Sequence, residues 1–493
     1  MSPVNPHTKR KHTMPNDQHS HTRYGVGVKI YNTLSGKKEI LKPLKGKKIN
    51  LFVCGPTVYD FSHIGHARSY IIFDCFAKYL KKLGFKVFYL QNITDIDDKI
   101  IMRSREKGVF PKDLANAFLE KHLEDMESLG INSVNKYAKA TDYIKQIIDQ
   151  VERLMSKGYA YKLPDGIYYD IGKFKGYGKL SGRTALQAED ATSRIDYSKD
   201  KKNRGDFCLW KFNDQEDEPS WPSPFGKGRP GWHIEDTAIT EKFFGAQYDI
   251  HGGGRDLLFP HHEAEIAQME ALSGKKPLAN YWMHTGFLTT GGQKMSKSLT
   301  NFILISDFLA RYTSHHLRFW VARNLWRSPM DYSESAMIEV RGSIERIEEF
   351  LFKIRGVQAH QKSSLQHQKI IKKATENFYK ELADDFNTPK AFAVIFELIK
   401  EINPLLDRNE LSKKDANTIF AFFKDINTIF DIIDFKKTHK SSIPPAVKQL
   451  IQEREKARTE HNWQRADELR KEIERHGFLI EDTAGGPLAK KMN

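Results

Sequence analysis

Four residues near the start of the chain, His63-Ile64-Gly65-His66, follow a stretch that reads as a strand and open one that reads as a helix. Unpaired N–H groups and the helix dipole gather at such a start, so anions are favoured there. Two imidazoles at that point suit the phosphates of a nucleotide, and Gly65 keeps the backbone slim enough for a base or ribose to approach. The plain alternative is a chance tetrapeptide with two satisfied histidines. Far downstream, Lys294-Met295-Ser296-Lys297-Ser298 follows Gly291-Gly292. Two lysines on a glycine-hinged loop can neutralise the charge that builds on a departing pyrophosphate. Alone, such a loop is usually just solvated; with the first motif upstream, chance becomes a poor account.

A third constellation has metal-binding character. His261 and Glu265 are four apart on an expected helix, so they share a face. Cys54 ends the first expected strand, at what would be the C-terminal edge of a sheet, where ligands gather in doubly wound folds. Cysteine, histidine and carboxylate together suit zinc. His262 is three residues from Glu265 and could also reach. On the residues alone, a buried Cys54 and an ordinary polar helix face are the better reading.

These groups need a scaffold, and the patterning supplies one. Residues 49–55 read as a buried strand, 64–83 as a helix closed by Gly84, and 86–91 as a second strand. That is a βαβ unit, which predicts a parallel sheet. Residues 113–159 read as helical; 160–227 turn glycine- and lysine-rich with short aromatic strands, one of which holds Cys208 as core. Strand character returns at Tyr248–Gly254, with Pro260 expected at the first position of a helix over 261–272. From 306 onward the pattern is helical, with amphipathic segments at 336–355, 366–384, 389–403 and 412–433 that suggest a bundle. A Lys/Ser/Pro linker, charged helices over 447–475 and a short terminal strand follow.

The two motifs together resemble the signature pair of class I aminoacyl-tRNA synthetases. The surrounding text narrows the resemblance: Phe52-Val53-Cys54-Gly55-Pro56-Thr57-Val58-Tyr59-Asp60, Asn92-Ile93-Thr94-Asp95-Ile96-Asp97-Asp98-Lys99, Gly231-Trp232-His233-Ile234-Glu235, His251-Gly252-Gly253-Gly254, Phe259-Pro260-His261-His262-Glu263 and Tyr281-Trp282-Met283-His284. In this order, from about residue 28 to the C-terminus, the series resembles the cysteinyl-tRNA synthetase family. The resemblance implies an α/β fold: a Rossmann-like parallel-sheet catalytic domain with an insertion, then a helix bundle and a small C-terminal domain. The corresponding division is a disordered tail at 1–24, catalytic halves at 25–140 and 228–305 around an insertion at 141–227, a tRNA-binding stem-contact and bundle region at 306–435, and an anticodon-binding domain at 436–493.

It further implies activation of cysteine by ATP, with Mg²⁺, and transfer to tRNA(Cys). His63, His66, Lys294 and Lys297 are then catalytic, and His63, Gly65, His66, His251, Gly253, Asp256 and Lys297 contact ATP. Cys54, Gly55, Thr94 and Trp232 surround the cysteine. One Zn²⁺ per chain is implied at Cys54, His261 and Glu265, holding the substrate thiolate. The family places a second cysteine ligand after Trp-His-Ile-Glu; this chain has Asp236 there. Aspartate binds zinc through oxygen, so the role passes to Asp236, with weaker zinc retention and a more Lewis-acidic metal expected. Asp385-Phe386-Asn387-Thr388-Pro389 resembles the family's bundle signature, and Trp463 and Arg465 fall in the expected anticodon reader. Two rivals stand beside this: a ligase of the same ancestry joining cysteine to an amino sugar, and a non-catalytic RNA-binding paralogue.

Composition agrees in outline. The 493 residues carry 78 basic and 63 acidic side chains, a surplus of +15 that suits a polyanion such as RNA. Three cysteines in so long a chain exclude a disulfide scaffold and favour a reducing cytoplasm. No run of about 18 apolar residues predicts a membrane span, and the polar first 24 residues lack a secretory apolar stretch. A monomer is expected.

Overall fold

The computed structural model describes residues 27–183, 199–213, 215, 217–295, 301–358, 363–435, 444–483 and 486–491. The expected tail at 1–24 lies outside them. At the centre is a five-stranded sheet in the order Ala279–Thr285, Tyr248–Gly254, Lys48–Val53, Lys86–Ile93, Lys136–Lys139, parallel throughout. Strands covered on both faces need continuous apolar runs, and Leu51, Phe52 and Val53 are all fully buried. The chain builds outward from Lys48–Val53 on one side, then returns to build on the other. Strand order therefore reverses between Lys48–Val53 and Tyr248–Gly254, and the crevice beyond their C-terminal ends is where such sheets bind ligands.

The helix Ile64–Lys82 crosses from the first strand to its neighbour. Ile64, Ala67, Ile71, Phe76 and Leu80 recur at helical spacing and are fully buried. Burying each of the larger ones contributes about 1.5–3 kcal/mol, so Phe76→Ala would cost about 3–5 kcal/mol. Gly84 takes φ +93°, a left-handed angle that lets the chain turn into the next strand.

Two local expectations are corrected. Residues 113–159 are not helical throughout: the strand Lys136–Lys139 separates the helices Pro111–Ser128 and Ile144–Ser156. Four residues with lysines at both ends, of which only Ala138 is buried, make too short an apolar run to show its period. The helix expected from 261 starts at Glu263, so Pro260 is not at its first position. His261 and His262 lie in the preceding turn, Leu258–His262, where Phe259 is extended.

An antiparallel sheet of Ala160–Leu163, Gly166–Tyr169, Phe207–Phe212 and Gly228–Pro230 covers one flank of the core. Cys208 is buried in it. After the central sheet, Leu288–Thr290 pairs with Gln293–Lys294 as a hairpin and with Met330–Tyr332 in parallel. The bundle follows as Glu334–Gly356, Leu365–Ala383, Thr388–Asp407 and Lys413–Phe430. Asp385 ties it down: its carboxylate accepts from Tyr31 N at 2.8 Å and Arg327 Nε at 2.9 Å, and its carbonyl from Trp326 Nε1 at 2.9 Å. Finally, the helices Pro445–Thr459 and Trp463–Arg475 and the hairpin Phe478–Thr483 with Gly486–Lys491 share a small core of Val447, Ile473, Phe478 and Ile480. Among the described residues no helix is long and apolar enough to cross a membrane.

Candidate active site

Cys54 leaves the end of its strand at the reversal point, its N–H donating to Gly252 O at 3.0 Å. The helix Trp232–Phe244 brings Asp236, and the turn and helix after Tyr248–Gly254 bring His261 and Glu265. All four are buried, and one ligand atom from each lies within 4.8 Å of the others. Cys54 Sγ is 3.3 Å from Asp236 Oδ2 and 4.0 Å from Glu265 Oε1. His261 Nε2 is 2.9 Å from Asp236 Oδ2 and 3.3 Å from Glu265 Oε1. Bonds of about 2.0–2.3 Å to a tetrahedral zinc put ligand atoms roughly 3.3–3.7 Å apart, and these separations bracket that range.

The electrostatics point the same way. Burial first, then the Asp236 and Glu265 carboxylates, pushes the Cys54 thiol well above its ordinary value. Burial and Asp236 likewise push Glu265 and Glu235 well up. Asp236 Oδ1 and Glu265 Oε2 are buried without a hydrogen-bond partner. A crowd of buried acids with orphaned oxygens is what a divalent cation at the common point would reverse. The donor set therefore fits a metal ion, and its mix of one sulfur, one nitrogen and two oxygens suits zinc. Cys54 and Glu265 also form a group with His251 and His262. The first set is the better cage because it takes both carboxylates.

Histidines line the rest of the pocket. His262 Nε2 is 3.1 Å from Cys54 Sγ, and its Nδ1 is 2.8 Å from His284 Nε2, whose own Nδ1 is 2.9 Å from Thr33 Oγ1. His251 Nε2 is 3.6 Å from Cys54 Sγ, with its Nδ1 2.7 Å from Tyr248 OH. Burial pushes His251 and His262 well below the ordinary histidine value, and His284 down to about 3, so all three are neutral. Trp232 stacks on His261 with centroids 4.2 Å apart, and the Thr94 hydroxyl donates to Glu235. Gly55 N donates to Asn92 Oδ1 at 2.6 Å; a Cβ there would sit 1.7 Å from Asn92 O, so only glycine fits.

The histidine pair of the first motif sits at the N-terminus of Ile64–Lys82. His63 caps it: Nδ1 accepts from Gly65 N at 3.1 Å, while His66 Nδ1 accepts from His63 N at 3.3 Å. The two rings stack with centroids 3.8 Å apart. A Cβ on Gly65 would meet the His63 ring at 2.8 Å, so this glycine makes room for its neighbour's imidazole. Gly253 does the same for His262, at 2.8 Å. Asp256 follows in an exposed turn, Arg255–Leu257. Lys294 N and O belong to the hairpin strand Gln293–Lys294; Lys297 lies outside the described residues.

Three family models match in succession: the tRNA synthetases class I (C) catalytic domain over residues 40–342, the DALR domain over 377–434, and the cysteinyl-tRNA ligase anticodon binding domain over 440–486. The chain belongs to the cysteinyl-tRNA synthetase family. A cysteine–tRNA ligase of Methanococcus maripaludis is 43% identical over 482 residues, covering 94% of this chain and all of that protein. Those of Thermococcus onnurineus (40%; 95% of this chain, 100% of that one) and Thermoplasma acidophilum (42%; 92% and 98%) are similar at full length. Among solved structures, Mycobacterium tuberculosis methionyl-tRNA synthetase with methionyl-adenylate matches with TM-score 0.57 at 14% identity, covering 78% of this chain and 90% of that one. An Agrobacterium radiobacter LeuRS with tRNA and LeuAMS matches with TM-score 0.60 at 11%, covering 80% and 85%. These two likenesses establish the class I synthetase fold.

Within that fold, residues far apart in sequence meet: Cys54, Asp236, His261 and Glu265 at one point, with Trp232 stacked on His261 and Thr94 bonded to Glu235, next to Asp236. His251, expected at the nucleotide, faces Cys54. The residue reading passed over His284 and Glu235 and set His262 aside. One signal was available: Trp282 and His284 alternate on a strand whose register pairs them with His251 and Gly253.

Proposed function

We infer that the protein is a cysteine–tRNA ligase that uses ATP, with Mg²⁺, to form cysteinyl-adenylate and then charges tRNA(Cys). The observation that carries this is the meeting of Cys54, Asp236, His261 and Glu265 in a buried pocket at the strand-order reversal, close to a helix N-terminus capped by histidine. The cysteine carboxylate attacks the α-phosphorus of ATP and pyrophosphate leaves. A 2′- or 3′-hydroxyl of the terminal adenosine then attacks the carbonyl, and AMP leaves. The chain's work is positioning and charge stabilisation.

His63 and His66 are preset by their own caps to donate to phosphate oxygens at the helix N-terminus, and Lys294 and Lys297 bring positive charge to the leaving pyrophosphate. Gly65, Gly253, His251 and Asp256 border the nucleotide. Gly55, Thr94 and Trp232 wall the amino-acid pocket. Cys54, Asp236, His261 and Glu265 would hold the zinc, which when bound supplies a soft Lewis acid that prefers the sulfur of cysteine to the hydroxyl of serine. Hydrophobic pockets separate such isosteres poorly, so this donor set is the specificity element. His262 and His251, neutral and facing Cys54, keep the pocket free of extra charge.

The amino-sugar ligase and the silent paralogue are not favoured, because the anticodon-binding match over 440–486 sits on a chain that keeps both signature motifs. We read the protein as a cytoplasmic monomer; three buried cysteines, none of them in a disulfide, support a reducing compartment. The test is cysteine-dependent ATP–pyrophosphate exchange with charging of a tRNA(Cys) transcript, alongside metal analysis. Exchange that answers to serine as well as cysteine, or a chain that carries no metal, would sink the assignment.

A further inference from the structure

Two residues past His66, Arg68 is only 1% exposed. Its Nη1 donates to Gly286 O at 2.7 Å and Phe287 O at 2.6 Å. Its Nη2 donates to Ser328 O and, at 3.4 Å, to Trp326 O. Among the described residues no carboxylate pairs with it, and burial alone pushes it down to about 10, so it stays charged at neutral pH. A buried cation without a counter-ion is costly. Packing alone would be served by an apolar side chain. What arginine uniquely offers is a rigid fork of five donors that can gather several carbonyls at once.

Those carbonyls occupy one place in the fold. Gly286 and Phe287 are where the chain leaves the strand Ala279–Thr285 and enters the hairpin Leu288–Thr290 with Gln293–Lys294. Ser328 lies two residues before Met330–Tyr332, the strand paired with that hairpin. Beside Arg68, Ser69 Oγ lies 2.7 Å from Thr285 Oγ1. The far end of the same stretch is tied to the same helix start: Ile64 N donates to Ile303 O at 3.0 Å and Ile305 N to Ser62 O at 3.1 Å. The first two turns of Ile64–Lys82 thus hold both the entry and the exit of the segment that carries Lys294.

We propose that Arg68 is a positioning residue for adenylate formation: its guanidinium fixes the root of the hairpin carrying Lys294 to the helix carrying His63 and His66. The two halves of the phosphate-binding apparatus then keep one spacing. This rests on the reading of the chain as a cysteine-activating enzyme. Misplacing reacting groups by about 1 Å can cost about 100-fold in rate.

Two variants test it from opposite sides. Arg68→Lys keeps the charge but cannot span four carbonyls. Gly286→Ala leaves Arg68 intact but puts a Cβ 2.3 Å from Ser328 O, forcing the same strands apart. Cysteine-dependent ATP–pyrophosphate exchange is measured beside the wild type, with active sites counted from the adenylate burst. Both variants should lose about 10- to 100-fold in kcat per active site, with the cysteine KM within about twofold, because the metal pocket is untouched. Loss of active fraction or melting temperature with full kcat per site would overturn the proposal and leave Arg68 a packing residue. Should Arg68→Lys fail to fold, Gly286→Ala decides alone. A wild type silent with cysteine would instead defeat the functional reading on which the proposal stands.

Discussion

The two sides of the active cleft are built on opposite principles. On the side we propose for phosphate, the polar groups at the helix start find partners within the protein, all but the buried Arg68 Nε. His63 and His66 cap each other's backbone, and Arg68 is met by carbonyls. On the metal side buried groups are left in tension: Cys54, Glu235 and Glu265 are all pushed toward their neutral forms, and carboxylate oxygens of Asp236 and Glu265 have no hydrogen-bond partner. One side is satisfied, except at Arg68 Nε, before it binds anything. The other is completed by what it binds, and its stability should therefore depend on its ligand.

The largest expected effect is on metal removal. Stripping the protein with a strong chelator should abolish cysteine-dependent exchange and lower the denaturation midpoint of the catalytic domain. At a metal concentration about 1,000 times Kd the linked loss is about 4 kcal/mol. Saturating ATP analogue, by contrast, should not restore the midpoint of the stripped protein to its loaded value. Equal stability with and without metal would erase the contrast between the two sides. Next in size, His63→Ala should reduce kcat for exchange about 100- to 1,000-fold, the scale of losing one preorganised donor to developing charge. Its stability cost should be only about 1 kcal/mol, that of a lost helix cap. Loss of metal from His63→Ala, measured by direct analysis, would mean that the two sides are not independent.

How much of this was legible in the sequence differs between the sides for a physical reason. The side we propose for phosphate is local: strand, turn and helix all lie between Lys48 and Lys82, so Ile64–Lys82 is predicted to within one residue and both histidines fall at its start. The metal side gathers Cys54, Asp236, His251, His261, Glu265 and His284 from six separate elements. No spacing rule links residues whose meeting is decided by strand order, so on the residues alone the cluster was the weaker reading. Only the family resemblance joined Cys54, Asp236, His261 and Glu265; it placed His251 at the nucleotide and gave His284 no role. His284 escaped notice because its signal is alternation on a strand seven residues long, and Glu235 because its role depends on Thr94, 141 residues away. Arg68 gave no signal at all: its partners are backbone carbonyls, which no side-chain pattern encodes.

A smaller effect follows from Asp236 itself. Its carboxylate is a harder donor than thiolate, so Asp236→Cys should slow metal loss to a competing chelator by about tenfold. In the cobalt-substituted protein the same change should strengthen sulfur-to-metal charge-transfer absorption, since two sulfurs then replace one. Unchanged spectra on adding the thiol would place Asp236 outside the coordination sphere, and the grouping of Cys54 and Glu265 with His251 and His262 would take its place.

The smallest effect probes how finely the metal side is balanced. Thr94 is buried, and its hydroxyl donates to Glu235. Burial and Asp236 raise Glu235, and that hydrogen bond is the counterweight which lowers it. Thr94→Val keeps the shape and removes the donor, so it should cost about 1–3 kcal/mol for a buried group left unsatisfied. Thr94→Ser, which keeps the hydroxyl, should cost less than about 1 kcal/mol, mostly for the missing methyl. Denaturation midpoints measured with and without metal separate two cases. If the Val penalty is larger in the stripped protein, the acids around Asp236 share one strain that the metal relieves. If it is the same in both, Glu235 is satisfied locally and the tension is confined to the ligands themselves.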